Sequence, residues 1–492
     1  MAKKRSQCRS KSCVRSRKRR IRVDNKEVLP DDNRQNNSRV SVFEDYLYVQ
    51  NWLFEKEFYR FLSTLRRPLP VCFRIRDNFE DYGFQQLLHE ERAHDQARQM
   101  PGGAWQLPSS ALQAYPRIRQ WLSTQTAQGH ISRQEFVSMI PVLLLDIQSH
   151  HTVLDLCASP GSKTIQAVDA LYANTTTSEQ QPTGFVMANE LDPRRAYVLA
   201  HRCQATLGER MKSLAVVNHN ATKFPNVLAP LRRISSSPKE RPFDRIICDV
   251  PCSGDGTLRK DTKVWRTWHP SYGIQLHALQ VRIAKRGIAL LRMGGMMTYS
   301  TCSFHPIENE AVVAALLETG CVEVVACDCV RSLKGIRRRQ GLTEWKVLDD
   351  DCHQVASHSD RPDWPSTLWA NRKHHRSLQR CIRMVPHDND SGGFFIALLR
   401  KIQEFPAIGG SDAKTEASAP VAGMVTPQAE HHKLFPVKDH NEKDAKVFTR
   451  GPTGKRQFQI ANSLAHCLTN TPGSDKINLV YAGHNDEKMV AP

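Results

Sequence analysis

Thr152-Val153-Leu154-Asp155-Leu156-Cys157-Ala158-Ser159-Pro160-Gly161-Ser162-Lys163 is the stretch that decides the fold. Thr152–Leu156 reads as a short strand of the buried type. The turn Cys157–Lys163 carries a single glycine, and Thr164–Tyr172 then reads as a helix with Ile165, Val168 and Tyr172 on one face. A strand handed through a tight turn to a helix opens a βαβ unit.

The rhythm continues outward. Strand-like Phe185–Asn189 leads to a helix capped by Asp192 and opened by Pro193. Leu214–Asn218, Arg245–Asp249, Met296–Tyr299 and Val322–Ala326 extend the series. A helix begins near Pro306 and runs through Val312, Val313, Leu316 and Leu317, and Phe394–Leu399 is the last apolar strand. Strands alternating with helices every ~30 residues predict an α/β chain with a doubly wound, mostly parallel sheet. In front of it, Leu69–Ile75 alternates like a strand. Ser132 followed by Glu135 and an apolar run to Leu145 predicts a helix opened by a capping box.

These patterns divide the chain into a basic disordered tail (1–40), a smaller N-terminal accessory region expected to bind RNA (41–126), the α/β domain (127–402), a low-complexity linker (403–446) and a short or truncated C-terminal piece (447–492). The net charge is +19, and the first 22 residues hold eleven basic residues and no acid, which leaves +8 for the body. Such an excess predicts a polyanionic partner, nucleic acid before membrane. Lys3-Lys4-Arg5 and Arg17-Lys18-Arg19-Arg20 read as nuclear import signals, with the nucleolus as a possible destination. A mitochondrial presequence ranks second, because the tail lacks an apolar helix face. No apolar run reaches the ~18 residues of a membrane helix. With no apolar leader visible, the fourteen cysteines are expected to be reduced thiols. No C-x-x-C pair occurs, and Cys321, Cys327, Cys329, Cys352 and His353 match no standard zinc spacing, so no metal is expected. A monomer is expected.

The turn Cys157-Ala158-Ser159-Pro160-Gly161-Ser162-Lys163 lies where α/β sheets meet a cofactor. One glycine excludes both the G-x-G-x-x-G fingerprint and the P-loop. Glu190 ends the second strand, where a carboxylate can accept from ribose hydroxyls. Adenosine without pyrophosphate points to S-adenosylmethionine, with Asp155 and Asp249 suiting its cationic groups. On spacing alone, an ordinary strand–turn–helix junction explains the same residues equally well.

Two cysteines end two different strands, Cys252 in Asp249-Val250-Pro251-Cys252-Ser253-Gly254 and Cys302 in Tyr299-Ser300-Thr301-Cys302-Ser303-Phe304. The carboxyl ends of parallel strands share one crevice, so the two thiols are expected to meet. A thiol nucleophile with a second thiol opposite suits chemistry that makes and then breaks a covalent bond to a ring. Each cysteine alone is more often a small buried hydrophobe, and Cys157, Cys203 and Cys248 are read that way.

Asp155–Lys163, Asp249–Lys260 and Tyr299–Glu310 together resemble the motifs of the Nop/Sun family of RNA cytosine-5 methyltransferases, closest to its eukaryotic tRNA-modifying branch. Leu69–Ile75, Ser138-Met139-Ile140-Pro141, Leu342–Val347, and Pro386-His387 with Gly392-Gly393-Phe394-Phe395 add to the likeness, which covers roughly residues 42–402. The resemblance implies a Rossmann-like methyltransferase sheet of seven strands with the last antiparallel. It implies S-adenosylmethionine held by Cys157, Ala158, Ser159, Pro160, Gly161, Ser162, Lys163, Glu190 and Asp249. Where the family has an acid for the adenine amino group, this chain has Asn220, which keeps an acceptor but loses a charge. By the same likeness, Cys302 is the nucleophile at carbon 6 of cytosine, Cys252 assists release, and Asp249 holds the base edge. Lys163 is the candidate cation for activating the thiol. Trp265, Trp268 and His269 are candidates for stacking a flipped base, and Pro386-His387 for an RNA-backbone contact, with plain packing the equal alternative for each. The expected substrate is RNA, tRNA first. Two rivals stand behind it, a DNA cytosine-5 methyltransferase, which Cys302 disfavours, and a non-catalytic RNA-binding scaffold, towards which only Asn220 leans.

Overall fold

The computed structural model describes residues 42–76, 83–173, 181–226, 243–327 and 333–405, and the backbone of four strands beyond them. The basic tail, Cys329 and residues 406–432 lie outside the described residues.

A small antiparallel sheet comes first. It consists of β1 (Val71–Ile75), β2 (Arg98–Met100), β3 (Ala104–Leu107) and β4 (Ile131–Arg133), in the order β2-β3-β1-β4. The segment expected to start a helix at Ser132 is thus a strand, with Ser132 opposite Arg74 and Arg133 opposite Phe73. Cross-strand pairing with a buried strand outweighs a local capping signal. The helix begins later, at Phe136–Leu144, and Glu135 sends its carboxylate to the Gly392 N–H at 2.6 Å instead of closing a capping box.

The main sheet contains β5 (Thr152–Asp155), β6 (Phe185–Asn189), β7 (Leu214–Val217), β8 (Phe243–Asp249), β9 (Leu291–Thr301), β10 (Val322–Val324), β11 (Arg339–Gln340), then, past a two-stranded hairpin of β12 (Val347–Leu348) and β13 (Gln354–Val355), β14 (Ile382–Met384) and β15 (Phe394–Lys401). The order β7-β6-β5-β8-β9 is parallel throughout. β15 runs antiparallel beside β9, and its outer edge is shared by β10 at one end and β14 at the other. The seven strands β7-β6-β5-β8-β9-β15-β10, with the chain-last one reversed, are the expected sheet.

The central strands are buried on both faces, as parallel strands covered by helices must be. Alternation assigns the faces. Leu154, Met187, Ile246 and Met297 pack with Ile283, Ala284 and Ile288 of helix Ser271–Leu290. Val153, Val186 and Ile247 pack on the other side with Ile165 and Val168 of helix Ser162–Ala173 and Leu199 of helix Pro193–Leu207. Asp192 caps the latter by accepting the Arg195 N–H at 3.0 Å, with Pro193 in its first turn, as the sequence predicts.

A buried ion network fastens the small sheet to the large one. Arg74 and Arg76 of the N-terminal segment each reach Asp169 of helix Ser162–Ala173 at 2.7 Å, and Arg210 joins at 3.1 Å. These cations hold the Asp169 carboxyl down at about 2 against the penalty of burial. Helices Val42–Gln50 and Glu55–Leu65 pack Phe43, Tyr46 and Phe61 against Leu258, Trp268 and Phe304. Further along, Lys433–Val437, Asp444–Gly451 and Gly454–Ala461 form an antiparallel sheet, two of whose strands begin inside the stretch read as linker. Leu479–Ala482 pairs antiparallel with β7. No helix among the described residues is long and apolar enough to cross a membrane.

Candidate active site

β8 ends at Asp249 and β9 at Thr301, neighbours in register with Asp249 opposite Ser300. Parallel pairing therefore delivers the following turns to the same place. Cys252 Sγ and Cys302 Sγ lie 3.3 Å apart, both free thiols and both partly exposed. The hydrogen bond to Cys302, burial, and the charges of Cys302, Glu308 and Asp249 push the Cys252 thiol well above its ordinary pKa.

Several bonds hold the turns. The Gly256 N–H donates to Cys302 O at 2.8 Å and Gly393 N–H to Gly256 O at 2.8 Å. A Cβ on Gly256 would stand 2.3 Å from Gly393 O and 2.8 Å from Cys302 O, so only glycine lets the turns after β8 and β9 and the approach to β15 meet. The Arg259 guanidinium, buried, donates to the carbonyls of Arg67, Pro68 and Ser391 and to Asp390. Asp255 accepts the Phe304 N–H at 2.6 Å, and burial raises its carboxyl to about 8.

Asp249 sits beside the thiols. Its Oδ2 accepts from Lys163 Nζ at 2.7 Å and its Oδ1 from the Ser300 hydroxyl at 2.6 Å. Lys163 also donates to Ser138 Oγ at 2.8 Å. The ammonium expected to activate a thiol is thus committed to Asp249 and Ser138, because a carboxylate at the same strand edge is the stronger acceptor for it.

The turn Cys157–Lys163 lies against the end of β6 and helix Pro193–Leu207. The Ala158 N–H donates to Asn189 O at 2.8 Å, and Gly161 has φ +99° with Leu199 packed where a Cβ would be. Ser159–Pro160 is cis. Asp155 accepts the Thr164 hydroxyl at 2.8 Å, while its other oxygen, near the Cys157 N–H, makes no hydrogen bond of ordinary geometry. Burial lifts this carboxyl to about 7. Glu190 is buried at the end of β6 and accepts the Asp192 N–H at 3.1 Å, with Arg195 at 3.6 Å. Asn220 is exposed and its side-chain oxygen takes both Thr222 donors, at 3.0 and 2.8 Å. A single-glycine turn, a buried strand-end Glu and an under-bonded Asp on one sheet edge fit a nucleoside bearing a cationic group.

Not every expected residue arrives. Trp268 is buried against Phe43 and Tyr46, so its indole is not free to stack a base, while Trp265 is half-buried and meets Phe43 edge-on. His387 is buried among Glu57, Arg339 and Asp388. Glu57, His387 and Asp388 approach like metal ligands, yet the Arg339 guanidinium joins both carboxylates and holds Glu57 down at about 2. It is an ion-pair network that ties helix Glu55–Leu65 to Arg339, His387 and Asp388. Cys321 and Cys327 are buried in the core and Cys352 packs with the N-terminal helices.

The sequence reading missed Glu308. It is fully buried and accepts from Ser253 N–H and Gln280 Nε2 at 2.9 Å each, and from the Ser253 and Ser303 hydroxyls at 2.5 and 2.6 Å. The signal was its position six residues after Cys302, inside a segment already singled out.

Strand order, reversed last strand and site position define the Rossmann-like fold of S-adenosylmethionine-dependent methyltransferases. Residues 142–400 match the family described as 16S rRNA methyltransferase RsmB/F, and the chain belongs to that family, the Nop/Sun group that the motifs resemble. It is 36% identical over 409 residues to the multisite-specific tRNA:(cytosine-C(5))-methyltransferase of Schizosaccharomyces pombe, covering 73% of this chain and 59% of that protein. The Saccharomyces cerevisiae protein of the same description is 35% identical over 414 residues, covering 78% and 58%. The chain thus spans less than two thirds of the length of these relatives. The crystal structure of NSun6 from Pyrococcus horikoshii with SFG superposes with a TM-score of 0.51 at 16% identity, covering 73% of this chain and 98% of that one.

Proposed function

We propose that this chain methylates carbon 5 of cytosine in RNA, with tRNA as substrate and S-adenosylmethionine as methyl donor. The observation that carries the reading is the contact of two thiols, Cys252 and Cys302, beside a lysine-paired aspartate at the carboxyl edge of a methyltransferase sheet. The names of the fungal relatives support tRNA, and the charge of +19 suits a polyanion.

Carbon 5 of cytosine is a poor nucleophile. Addition of the Cys302 thiolate to carbon 6 makes the ring an enamine whose carbon 5 is nucleophilic. Asp249, fixed by Lys163 and Ser300, would accept from the amino group, and a proton taken from solvent as the thiolate adds and returned to it on release would be held between the carboxylate and the ring nitrogen, stabilising the charge of the adduct. The turn Cys157–Lys163, Glu190 and Asn220 would hold S-adenosylmethionine, which when bound supplies an electrophilic methyl group. The carbon 5–hydrogen bond must then break, its electrons re-forming the ring double bond while the carbon 6–sulfur bond of Cys302 breaks. Cys252 is placed to assist. Its ionisation is opposed by Cys302, and that opposition ends once the Cys302 sulfur is tied up in a thioether. With its own proton passed to solvent, Cys252 can accept the ring proton.

The test is bisulfite sequencing of unmodified tRNA incubated with the purified chain and S-adenosylmethionine, with Cys302→Ala alongside. Protected cytosine with the unaltered chain alone is expected. No protected cytosine in any RNA offered would overturn the proposal.

A further inference from the structure

Glu308 carries an inference beyond the two cysteines. It precedes helix Glu310–Leu317, its backbone carbonyl accepts the Tyr299 hydroxyl at 2.5 Å, and its side chain lies between the two catalytic turns. One carboxyl oxygen takes the Ser253 N–H and Gln280, the other takes the Ser253 and Ser303 hydroxyls. Ser253 directly follows Cys252 and Ser303 directly follows Cys302. Gln280 also donates to Pro251 O at 2.9 Å, and the two serine hydroxyls are 3.1 Å apart.

Four donors on two oxygens is the set an ionised carboxylate requires. The other buried carboxyl nearby, Asp255, has one backbone donor and an oxygen without a partner. Burial raises both carboxyls, but the donors from Ser253, Ser303 and Gln280 pull Glu308 back down while Asp255 rises to about 8, so of these two acids, which cannot both be charged cheaply, the four-donor one keeps the charge and Asp255 the proton.

We propose that Glu308 is the positioning residue of this site: it clamps the turn after Cys252 to the turn after Cys302 and supplies the buried negative charge that makes the two thiols inequivalent. The other groups facing the pair are Asp249, already paired with Lys163, and around Glu308 itself Asp255, Tyr46, Tyr299 and Arg383. Cys252 carries the charges of Glu308 and Asp249 against its ionisation. The clamp explains why the two thiols touch. The inference deepens the proposed reaction and rests on that reading, but thiol reactivity tests it without RNA or cofactor.

The experiment compares the unaltered chain, Glu308→Gln and Ser303→Ala. The pH dependence of iodoacetamide alkylation at Cys252 and Cys302 is followed by peptide mass spectrometry, and Cys252–Cys302 disulfide formation by diamide is timed. Glu308→Gln should move the Cys252 midpoint to lower pH, with alkylation about tenfold faster at a fixed alkaline pH below the midpoint, since one pKa unit is tenfold in thiolate. Ser303→Ala keeps the charge and loosens the clamp, so it should slow the disulfide several-fold and leave the Cys252 midpoint where it was. A residue that only supports the fold would lower the unfolding temperature without moving the midpoint. An unmoved Cys252 midpoint in folded Glu308→Gln overturns the proposal. Should that variant not fold, unchanged disulfide timing in Ser303→Ala overturns it. Loss of RNA methylation by the unaltered chain, with these thiol results intact, would sink the reaction and spare the clamp.

Discussion

Cys252 and Cys302 stand fifty residues apart in sequence and 3.3 Å apart in space, joined only by the parallel register that sets Asp249 of β8 opposite Ser300 of β9. Sulfur atoms at that distance are hydrogen-bonded, and the charges of Glu308 and Asp249 weigh on Cys252. The hydrogen bond to Cys302, burial and the neighbouring charges hold Cys252 protonated. Limited iodoacetamide at neutral pH should therefore label Cys302 before Cys252, as read by peptide mapping. Equal labelling would contradict the asymmetry.

The network of Arg74, Arg76 and Arg210 on Asp169 predicts an acid-labile joint between the two sheets. Asp169 is held at about 2 in the folded protein, below the ordinary ~3.9 of an unfolded Asp. Its contribution is complete above about pH 4 and is lost as pH falls through about 2, on the order of 2–3 kcal/mol. Asp169→Ala leaves two buried guanidinium groups without their shared partner and should cost roughly 3–5 kcal/mol in denaturant unfolding at neutral pH. A cost below about 1 kcal/mol would show that the network is not structural.

Gly256→Ala should abolish adduct formation by pushing the Cys302 turn and the β15 approach away from the turn after Cys252. The added Cβ would fall 2.3 Å from Gly393 O and 2.8 Å from Cys302 O, both backbone atoms that cannot swing aside. The expected result is a strongly lowered melting temperature together with loss of methylation. Full activity would mean that the turns meet in another way.

Asn220→Asp should tighten S-adenosylmethionine binding. A charged hydrogen bond exceeds a neutral one by about 1 kcal/mol, roughly fivefold in Kd. Isothermal calorimetry with the cofactor alone measures it. Unchanged affinity would place the adenine amino group elsewhere.

Much of the sheet was legible because parallel strands buried on both faces leave short apolar runs, and Thr152–Asp155, Phe185–Asn189 and Leu214–Val217 begin where those runs predict. The helix expected from Ser132 was not, since pairing with Phe73 and Arg74 across the small sheet is invisible to a local capping pattern. The cysteines were legible as motif residues. The partners that orient them were not, because each comes from a distant element: Lys163 from the first turn, Gln280 from a helix, Glu308 from beyond the second turn. For Trp268 and His387 the choice between packing and an RNA contact stayed open, because nothing in their own segments announces that helices Val42–Gln50 and Glu55–Leu65 cover them.

The central claim is that each thiol performs its own half of the reaction. The direct measurement incubates the unaltered chain, Cys252→Ala and Cys302→Ala with tRNA and S-adenosylmethionine, then separates the products in denaturant. Cys252→Ala should accumulate a covalent protein–RNA species, because addition proceeds and release does not, while Cys302→Ala should form none. A denaturant-resistant adduct in Cys302→Ala, and none in Cys252→Ala, would contradict the account.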